Sequence, residues 1–194
     1  IASDRGAPAA LQELPDDWDA SRPGYEGVVW YRVRFDAPPR ADPEAVSALY
    51  VERACTNLEV YLNGHRIFSG GRMREPVTRN CYQPQLVALP SALLRAQGNT
   101  LDLKLRGHAL EHVASRQRAA GLSLLRIGPM DALAPVWRAQ QFWNVTAPQL
   151  LGVTLFVLGV FMIGVGWFNR RASYLMYFGT MSIIWSLLTA RIWL

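Results

Sequence analysis

The chain has 194 residues, with 20 basic and 15 acidic side chains and a formal net charge of +5. Lys104 is the only lysine, and the arginines are scattered along the sequence without a basic stripe. This distribution argues against nucleic-acid binding, which requires basic side chains clustered on one face.

The first three quarters of the chain are predicted to be mainly β. Residues 1–14 are expected to be loosely structured, and residues 15–128 to form one domain. Along Val28–Phe35, inward positions such as Tyr31 alternate with outward positions such as Trp30. This period of two indicates a half-buried strand.

Further short strands follow, separated by Gly, Pro and Asn. Asn63-Gly64 separates two alternating runs and predicts a tight hairpin, because both residues tolerate a positive φ. Such a pattern indicates an antiparallel sandwich or jelly roll. A further strand is predicted to begin within Leu49–Cys55. Other predicted strands cover Leu58–Leu62, Leu101–Leu105 and Leu122–Ile127.

The two cysteines, Cys55 and Cys81, both fall in this β region. If the region is exported to an oxidising compartment, the even pair favours a disulfide. Two reduced, buried cysteines that pack as small apolar side chains are the alternative.

Ligand binding is the favoured role for the β region. Aromatic rings and arginines on loops suit sugars or carboxylates, and residues 108–120 are expected to form a long polar loop between the last two strands. The candidate contact residues are Trp18, Trp30, Arg72, Arg74, Arg79, Tyr82, Glu111, His112 and Arg116.

No catalytic site, cofactor or metal site is predicted. Asp16 and Asp17 could pair as in glycoside hydrolases, but they lie in a turn-like segment before the first strand. His108 and His112 are spaced for metal binding on a helix, yet Gly107 precedes them and the segment lacks a helical apolar stripe.

The last quarter predicts two transmembrane α-helices joined by a short loop, residues 169–172. After a connector at residues 129–144, Val145–Phe168 and Ser173–Leu194 each supply the roughly 20 apolar residues that a membrane span needs. Membrane lipid is therefore an expected partner.

Orientation follows from Arg170 and Arg171, the only charges between the two spans. The positive-inside rule places them in the cytoplasm and residues 1–144 in the periplasm, with the chain in a bacterial inner membrane. Because residues 1–4 lack the basic and apolar regions of a signal peptide, we expect that a leader has been removed.

Three motifs carry a family resemblance. Trp30–Phe35, Leu58–Gly64 and Gly98–Leu101 resemble, in this order, the galactose-binding-like jelly-roll sandwich that accompanies the catalytic barrel in β-galactosidase-like and β-glucuronidase-like hydrolases. Followed by Ile127–Pro129 and the membrane hairpin, the chain resembles the seven-transmembrane receptors with diverse intracellular signalling modules (7TMR-DISM).

This resemblance implies the sensory region of a sensor histidine kinase or a diguanylate cyclase. It implies further membrane helices, a homodimeric full-length receptor, and a carbohydrate, small carboxylate or periplasmic protein as the signal. The alternatives are a membrane-anchored carbohydrate-binding or hydrolase accessory module, and a structural protein that binds another periplasmic protein.

Overall fold

The computed structural model describes residues 10–37, 45–113 and 119–190, apart from the side chain of Arg170. The chain divides into two compact units, Ile1–Gln140 and Gln141–Leu194.

The strands of the first unit are short and antiparallel throughout. They are β1 (Asp16–Asp17), β2 (Gly27–Phe35), β3 (Ser47–Val51), β4 (Ala54–Cys55), β5 (Asn57–Leu62), β6 (His65–Ser69), β7 (Gln85–Leu89), β8 (Asn99–Gly107), β9 (Gly121–Leu122) and β10 (Leu125–Pro129). A single helical turn, α1 (Trp18–Ser21), follows β1 directly. Short 3₁₀ turns occupy Ser91–Leu93 and Leu110–His112.

The strands pair into one four-stranded sheet, in the order β2-β8-β5-β6, and two three-stranded sheets, β10-β3-β7 and β1-β9-β4. The predicted hairpin is confirmed: β5 pairs with β6 across Asn63 and Gly64, whose φ angles are 49° and 87°. Glycine and asparagine are the residues that accept this left-handed backbone.

One hydrophobic core joins the four-stranded sheet to the sheet β10-β3-β7. The inward positions of β2, β5 and β8 meet those of β3 and β7 in a single cluster of buried side chains. Along β8 the alternation is complete, because every second residue from Asn99 to Gly107 is buried. This region is therefore a β domain, as predicted from the periodicity.

The sheet β10-β3-β7 is covered on both faces. Its inner face contributes Leu49 and Val51 to the main core, while Ala48 and Tyr50 pack against the helix α2 (Met130–Gln141). All five residues of β3 are consequently buried. Burial on both faces removes the alternation from the sequence, as in sheets covered by helices.

Helix α2 begins where β10 ends, without a linker. Pro135 lies inside this helix. Leu133 and Trp137 pack towards the sheet, and the Trp137 indole Nε1 donates a hydrogen bond to the Pro84 carbonyl at 3.0 Å. The neighbouring Val136 is 40% exposed.

The second unit consists of two apolar helices, α3 (Ala147–Phe168) and α4 (Tyr174–Ala190). A π-helical turn, Phe142–Thr146, precedes α3, and a 3₁₀ turn, Arg170–Ala172, separates the helices. Among the described residues, one helical segment, Met130–Phe168, is long and apolar enough to cross a membrane. α4 is apolar but has 17 residues, and the end of the predicted second span, 191–194, lies outside the described residues.

Small residues form the contact between α3 and α4. A Cβ on Gly159 would lie 2.7 Å from the Gly179 carbonyl oxygen, so the helices meet backbone to backbone at this point. Seven residues further along α4, the Ser186 hydroxyl donates to the Gly152 carbonyl at 2.8 Å. Glycine and serine at such positions allow the close approach that is common between membrane helices.

Among the described residues, strands account for 30% and helices for 40%. The β structure belongs to the first unit and the long apolar helix to the C-terminal part of the chain. The prediction of a β-rich domain followed by a long apolar helix is confirmed in this form.

Candidate functional site

A row of aromatic and charged side chains crosses the outer face of the four-stranded sheet. Strand register places Trp30 of β2 opposite Lys104 of β8, which is opposite Glu59 of β5. Tyr61 lies two residues further along β5, and its partner on β6 is Arg66. We call these five residues the outer-face patch.

The charge at the centre of the patch is buried and fully paired. The Glu59 side chain is 8% exposed, and its carboxylate accepts hydrogen bonds from Lys104 Nζ at 3.1 Å, Arg66 Nη1 at 3.3 Å and Tyr61 Oη at 3.1 Å. A carboxylate is removed from water at low cost only when it is paired in this way. Burial, followed by the hydrogen bond to Glu59, raises the pKa of Tyr61 above its usual range.

The aromatic rings are held in fixed positions by the same neighbours. The ring centroids of Trp30 and Tyr61 are 5.4 Å apart, and the Lys104 ammonium lies 5.7 Å from the Trp30 ring centre. Next to them, the Arg32 guanidinium donates two hydrogen bonds, of 2.6 and 3.0 Å, to the Asp102 carboxylate. These contacts preorganise the surface, because the rings and charges are positioned before any ligand arrives.

The patch can supply two kinds of contact. The rings of Trp30 and Tyr61 offer apolar faces to the C–H groups of a sugar. The Arg66 side chain is 59% exposed, and its guanidinium can donate hydrogen bonds to a carboxylate. Both kinds of contact match the ligand classes that the sequence predicts.

Trp18 is placed in the core and not at the surface. It is 2% exposed, and its indole Nε1 donates a hydrogen bond to the Tyr31 hydroxyl at 2.7 Å. The Tyr31 hydroxyl in turn donates to Asp16, which also pairs with Arg22. This network corrects the expectation of an exposed Trp18 ring, and it assigns Asp16 to a structural ion pair.

The predicted arginines of the basic segment lie on an ordered loop between β6 and β7. A disulfide joins Cys55 to Cys81 at the base of this loop. Asn57 and Asn80 fix its backbone: Asn80 Nδ2 donates to the Gly70 carbonyl at 2.6 Å, and Asn57 Nδ2 donates to the Arg72 carbonyl at 3.0 Å. The side chains of Arg72, Arg74 and Arg79 are exposed on this loop, and Tyr82 is half-buried.

The remaining candidates occupy a separate region. Glu111 and His112 are exposed on the turn Leu110–His112, and His112 Nδ1 lies 2.7 Å from Glu26 Oε2. Arg116 lies outside the described residues. The predicted residues therefore do not meet in one pocket: Trp30 belongs to the sheet face, the arginines to the loop, and His112 to a histidine-containing cluster.

Sequence reasoning missed four members of the outer-face patch: Glu59, Tyr61, Arg66 and Lys104. The alternation of β5 and β8 already marked Glu59, Tyr61 and Lys104 as outward positions. Their proximity to Trp30 depends on β8 pairing with both β2 and β5. No local sequence pattern predicts that strand order.

No family model and no curated protein matches the chain. Solved structures do match in part. One is an FMN-binding β-glucuronidase from Facaelibacterium prausnitzii L2-6, with 16% identity, a TM-score of 0.49, and coverage of 63% of this chain and 19% of that one.

A β-glucuronidase from Ruminococcus gnavus matches with 20% identity and a TM-score of 0.41, over 52% of this chain and 17% of its own. The Bifidobacterium dentium β-glucuronidase matches with 23% identity and a TM-score of 0.39, over 53% and 16%. The chain thus matches less than a fifth of the length of each enzyme. Likeness at this level carries no conclusion about activity.

Proposed function

We propose that this chain is the sensory input region of a bacterial inner-membrane signalling receptor of the 7TMR-DISM type, with a histidine kinase as its output. The observation that carries the proposal is the docking of helix α2. Leu133 and Trp137 seat the helix on the sheet β10-β3-β7, and the same helical segment, Met130–Phe168, is apolar enough to enter a membrane. A change in the β domain thus has a route towards the membrane.

Membrane insertion of α3 is supported by its length and its surface. Its 22 residues extend about 33 Å, against a hydrocarbon core of about 30 Å. Only 11% of the most apolar window of the helical segment is buried by the protein. With Ser173–Leu194 as a second span, Arg170 and Arg171 face the cytoplasm and the β domain faces the periplasm.

The proposed signal is a carbohydrate or a small carboxylate that binds the outer-face patch of a jelly-roll domain. The patch combines two adjacent aromatic rings with an exposed guanidinium, and such ligands need both kinds of contact. A periplasmic protein that presents an acidic or glycosylated surface would use the same contacts.

The proposed mechanism is a population shift. A ligand changes an equilibrium only if it binds one arrangement of the domain more tightly than the other. Here the arrangement that differs is the seat of α2 on Ala48 and Tyr50, which the Trp137–Pro84 hydrogen bond holds in place. The bias passes along the helix to the output region.

The decisive experiment uses the full-length receptor in proteoliposomes. Ligands found in a thermal-shift screen of sugars and organic acids are added, and autophosphorylation is measured. We expect Trp137→Ala to abolish the ligand dependence, because it removes both the packing and the hydrogen bond that seat α2.

Val136→Ala is the matched control, since the neighbouring Val136 side chain is largely exposed and should leave the response unchanged. A Trp137→Ala receptor with an undiminished ligand response would contradict the coupling. Cyclic dinucleotide synthesis in place of autophosphorylation would identify the diguanylate cyclase receptor. Ligand binding without either activity would favour a membrane-anchored carbohydrate-binding module.

A further inference from the structure

Two glutamates and two histidines from three segments of the chain meet at one place on the β domain. Glu26 immediately precedes β2, and Glu75 lies in the loop between β6 and β7. His108 directly follows β8, and His112 ends the next short turn. We call these residues the histidine cluster.

Glu26 is the centre of the cluster. Its Oε1 lies 3.1 Å from His108 Nδ1, and its Oε2 lies 2.7 Å from His112 Nδ1. On the other side of the His108 ring, Nε2 is 3.9 Å from Glu75 Oε1. One ligand atom from each of Glu26, Glu75 and His108 lies within 4.8 Å of those of the other two.

We propose that the histidine cluster binds one divalent transition-metal ion, of which Zn²⁺ is the best match. Imidazole nitrogens with carboxylate oxygens form a borderline donor set, which suits Zn²⁺ better than the all-oxygen sites of Ca²⁺ or Mg²⁺. Since both cysteines are joined in the disulfide, nitrogen and oxygen donors make up the site.

The donors are close enough for small rotations to complete the site. Tetrahedral bonds of about 2.0–2.1 Å place donor atoms about 3.3 Å apart, which falls between the contacts already present. The Glu26 and Glu75 side chains are 34% and 62% exposed, so they can turn without disturbing the core. His108 is held more firmly, at 11% exposure, and provides the fixed donor.

The guanidinium of Arg106 borders the cluster. Its Nη2 lies 3.4 Å from Glu75 Oε1. A carboxylate has two oxygens, so Glu75 can keep this ion pair through one of them and offer the other to the metal. Arg106 then orients Glu75 in the way that outer-shell partners commonly orient metal ligands.

A bound ion would join segments that are distant in the sequence. It would tie the start of β2 to the end of β8 and to the loop between β6 and β7. Because the unfolded chain has no preformed site, binding would favour the folded domain. This role is independent of the proposed sensory function.

Isothermal titration of the whole chain in detergent micelles with ZnCl₂ tests the proposal. We expect one saturable site per chain and a rise in the melting temperature with added Zn²⁺. The isosteric change Glu26→Gln and the change His108→Gln should each weaken binding about tenfold or more, since even outer-shell partners contribute about 10–100-fold.

His65→Gln is the matched control, because His65 is exposed on β6 and lies outside the cluster. His112→Gln provides a variant that keeps the fold, since His112 is 65% exposed. Cobalt(II) absorption gives a second readout: visible bands of a nitrogen- and oxygen-liganded site should appear in the wild type and vanish in Glu26→Gln. Zn²⁺ affinity equal in the wild type, Glu26→Gln and His112→Gln, or no saturable site in the wild type, would overturn the proposal.

Discussion

Asp16 shows how one buried polar residue can hold several parts of the β domain together. Its carboxylate is fully buried and accepts hydrogen bonds from the Tyr31 hydroxyl at 2.5 Å and from Arg22 at 2.7 Å. Tyr31 also accepts from the Trp18 indole. Removing one partner from such a network leaves buried polar groups without hydrogen bonds, which costs about 1–3 kcal/mol.

Tyr31→Phe should therefore destabilise the domain by about 1–3 kcal/mol at neutral pH. It should also change the response to alkali. Burial and the hydrogen bond to Asp16 raise the pKa of Tyr31 well above its usual range. A raised pKa contributes stability that is complete below pH about 10 and is lost as the pH increases further.

Chemical unfolding at pH 7 and pH 10.5 checks both effects. The wild type should lose more stability than Tyr31→Phe over this interval, because Tyr31 ionises in the unfolded wild-type chain while its buried hydroxyl stays protonated in the folded domain. Tyr25→Phe removes an exposed hydrogen bond to the Val28 carbonyl and should match the wild type closely. Equal pH dependence in the wild type and Tyr31→Phe would refute the role of this hydroxyl.

Trp30 is the residue on which the proposed ligand site most depends. Trp30→Ala removes the ring that lies beside Tyr61, so affinity for the sugars or acids found in the screen should fall about tenfold or more. Arg34→Ala, an exposed change four residues along the same strand face, is the control. Titration of the purified protein measures both affinities, and unchanged binding by Trp30→Ala would place the ligand elsewhere.

At the level of elements, the apolar hairpin is organised by small residues repeated every seven positions. Gly152, Gly159 and Gly166 follow this spacing on α3, and Ala172, Gly179 and Ser186 follow it at the start of and along α4. Seven residues are close to two helical turns, so each set lies along one face. Both sets line the contact between the helices.

Gly159→Leu should push α3 and α4 apart, because even a Cβ would lie 2.8 Å from the Ile183 side chain. We expect a cost of about 1–3 kcal/mol in helix association. Gly164→Leu is the control, since a Cβ there meets nothing within 4 Å. Energy transfer between dyes attached at Leu151 and Leu187 reports the separation, and a signal equal in both variants would contradict this packing.

The elements also show what the sequence could reveal. Alternation predicted β2 and β8, because one face of each strand meets water, and Asn63-Gly64 predicted the hairpin. β5 was also predicted from its alternating residue types, although five of its six residues are buried. The same rule gave poor bounds for β3, which is buried on both faces. The two-residue strands β1, β4 and β9 exist only through pairing with distant segments, so no local pattern announces them.

The candidate sites were less predictable than the strands, for the same physical reason. Glu26 and His108 are separated by 82 positions, and Glu59 and Lys104 by 45. Their meeting depends on sheet order, which is a property of tertiary packing. Trp18 was assigned to the surface because acidic residues flank it in the sequence. It is buried instead, and its indole donates a hydrogen bond to Tyr31, which is distant in the sequence.

At the scale of the whole molecule, the chain joins a unit with its own hydrophobic core to one whose apolar side chains face outward. Among the described residues, the segment Met130–Phe168 is long and apolar enough to cross a membrane. The proposed topology makes a direct prediction for each side of the membrane.

Alkaline phosphatase fused after Gln140 should be active, because it would reach the periplasm, where the enzyme folds. Green fluorescent protein fused after Arg171 should fluoresce, because the two arginines hold that loop in the cytoplasm. Activity measurements in intact cells check both fusions. The reverse pattern would invert the proposed topology and place the β domain in the cytoplasm.

The joint between β10 and α2 fixes how the helix is positioned on the β domain. β10 pairs with β3 up to Pro129, and the next backbone N–H, of Met130, donates to the Val46 carbonyl at 2.8 Å. The first residue of α2 is therefore still part of the sheet's hydrogen bonding. One residue inserted here would turn every later helical position by about 100°, which would carry Leu133 and Trp137 off the sheet. The strand thus sets the rotational phase of the helix. Because no linker separates them, a displacement of the sheet would move the start of α2 with it.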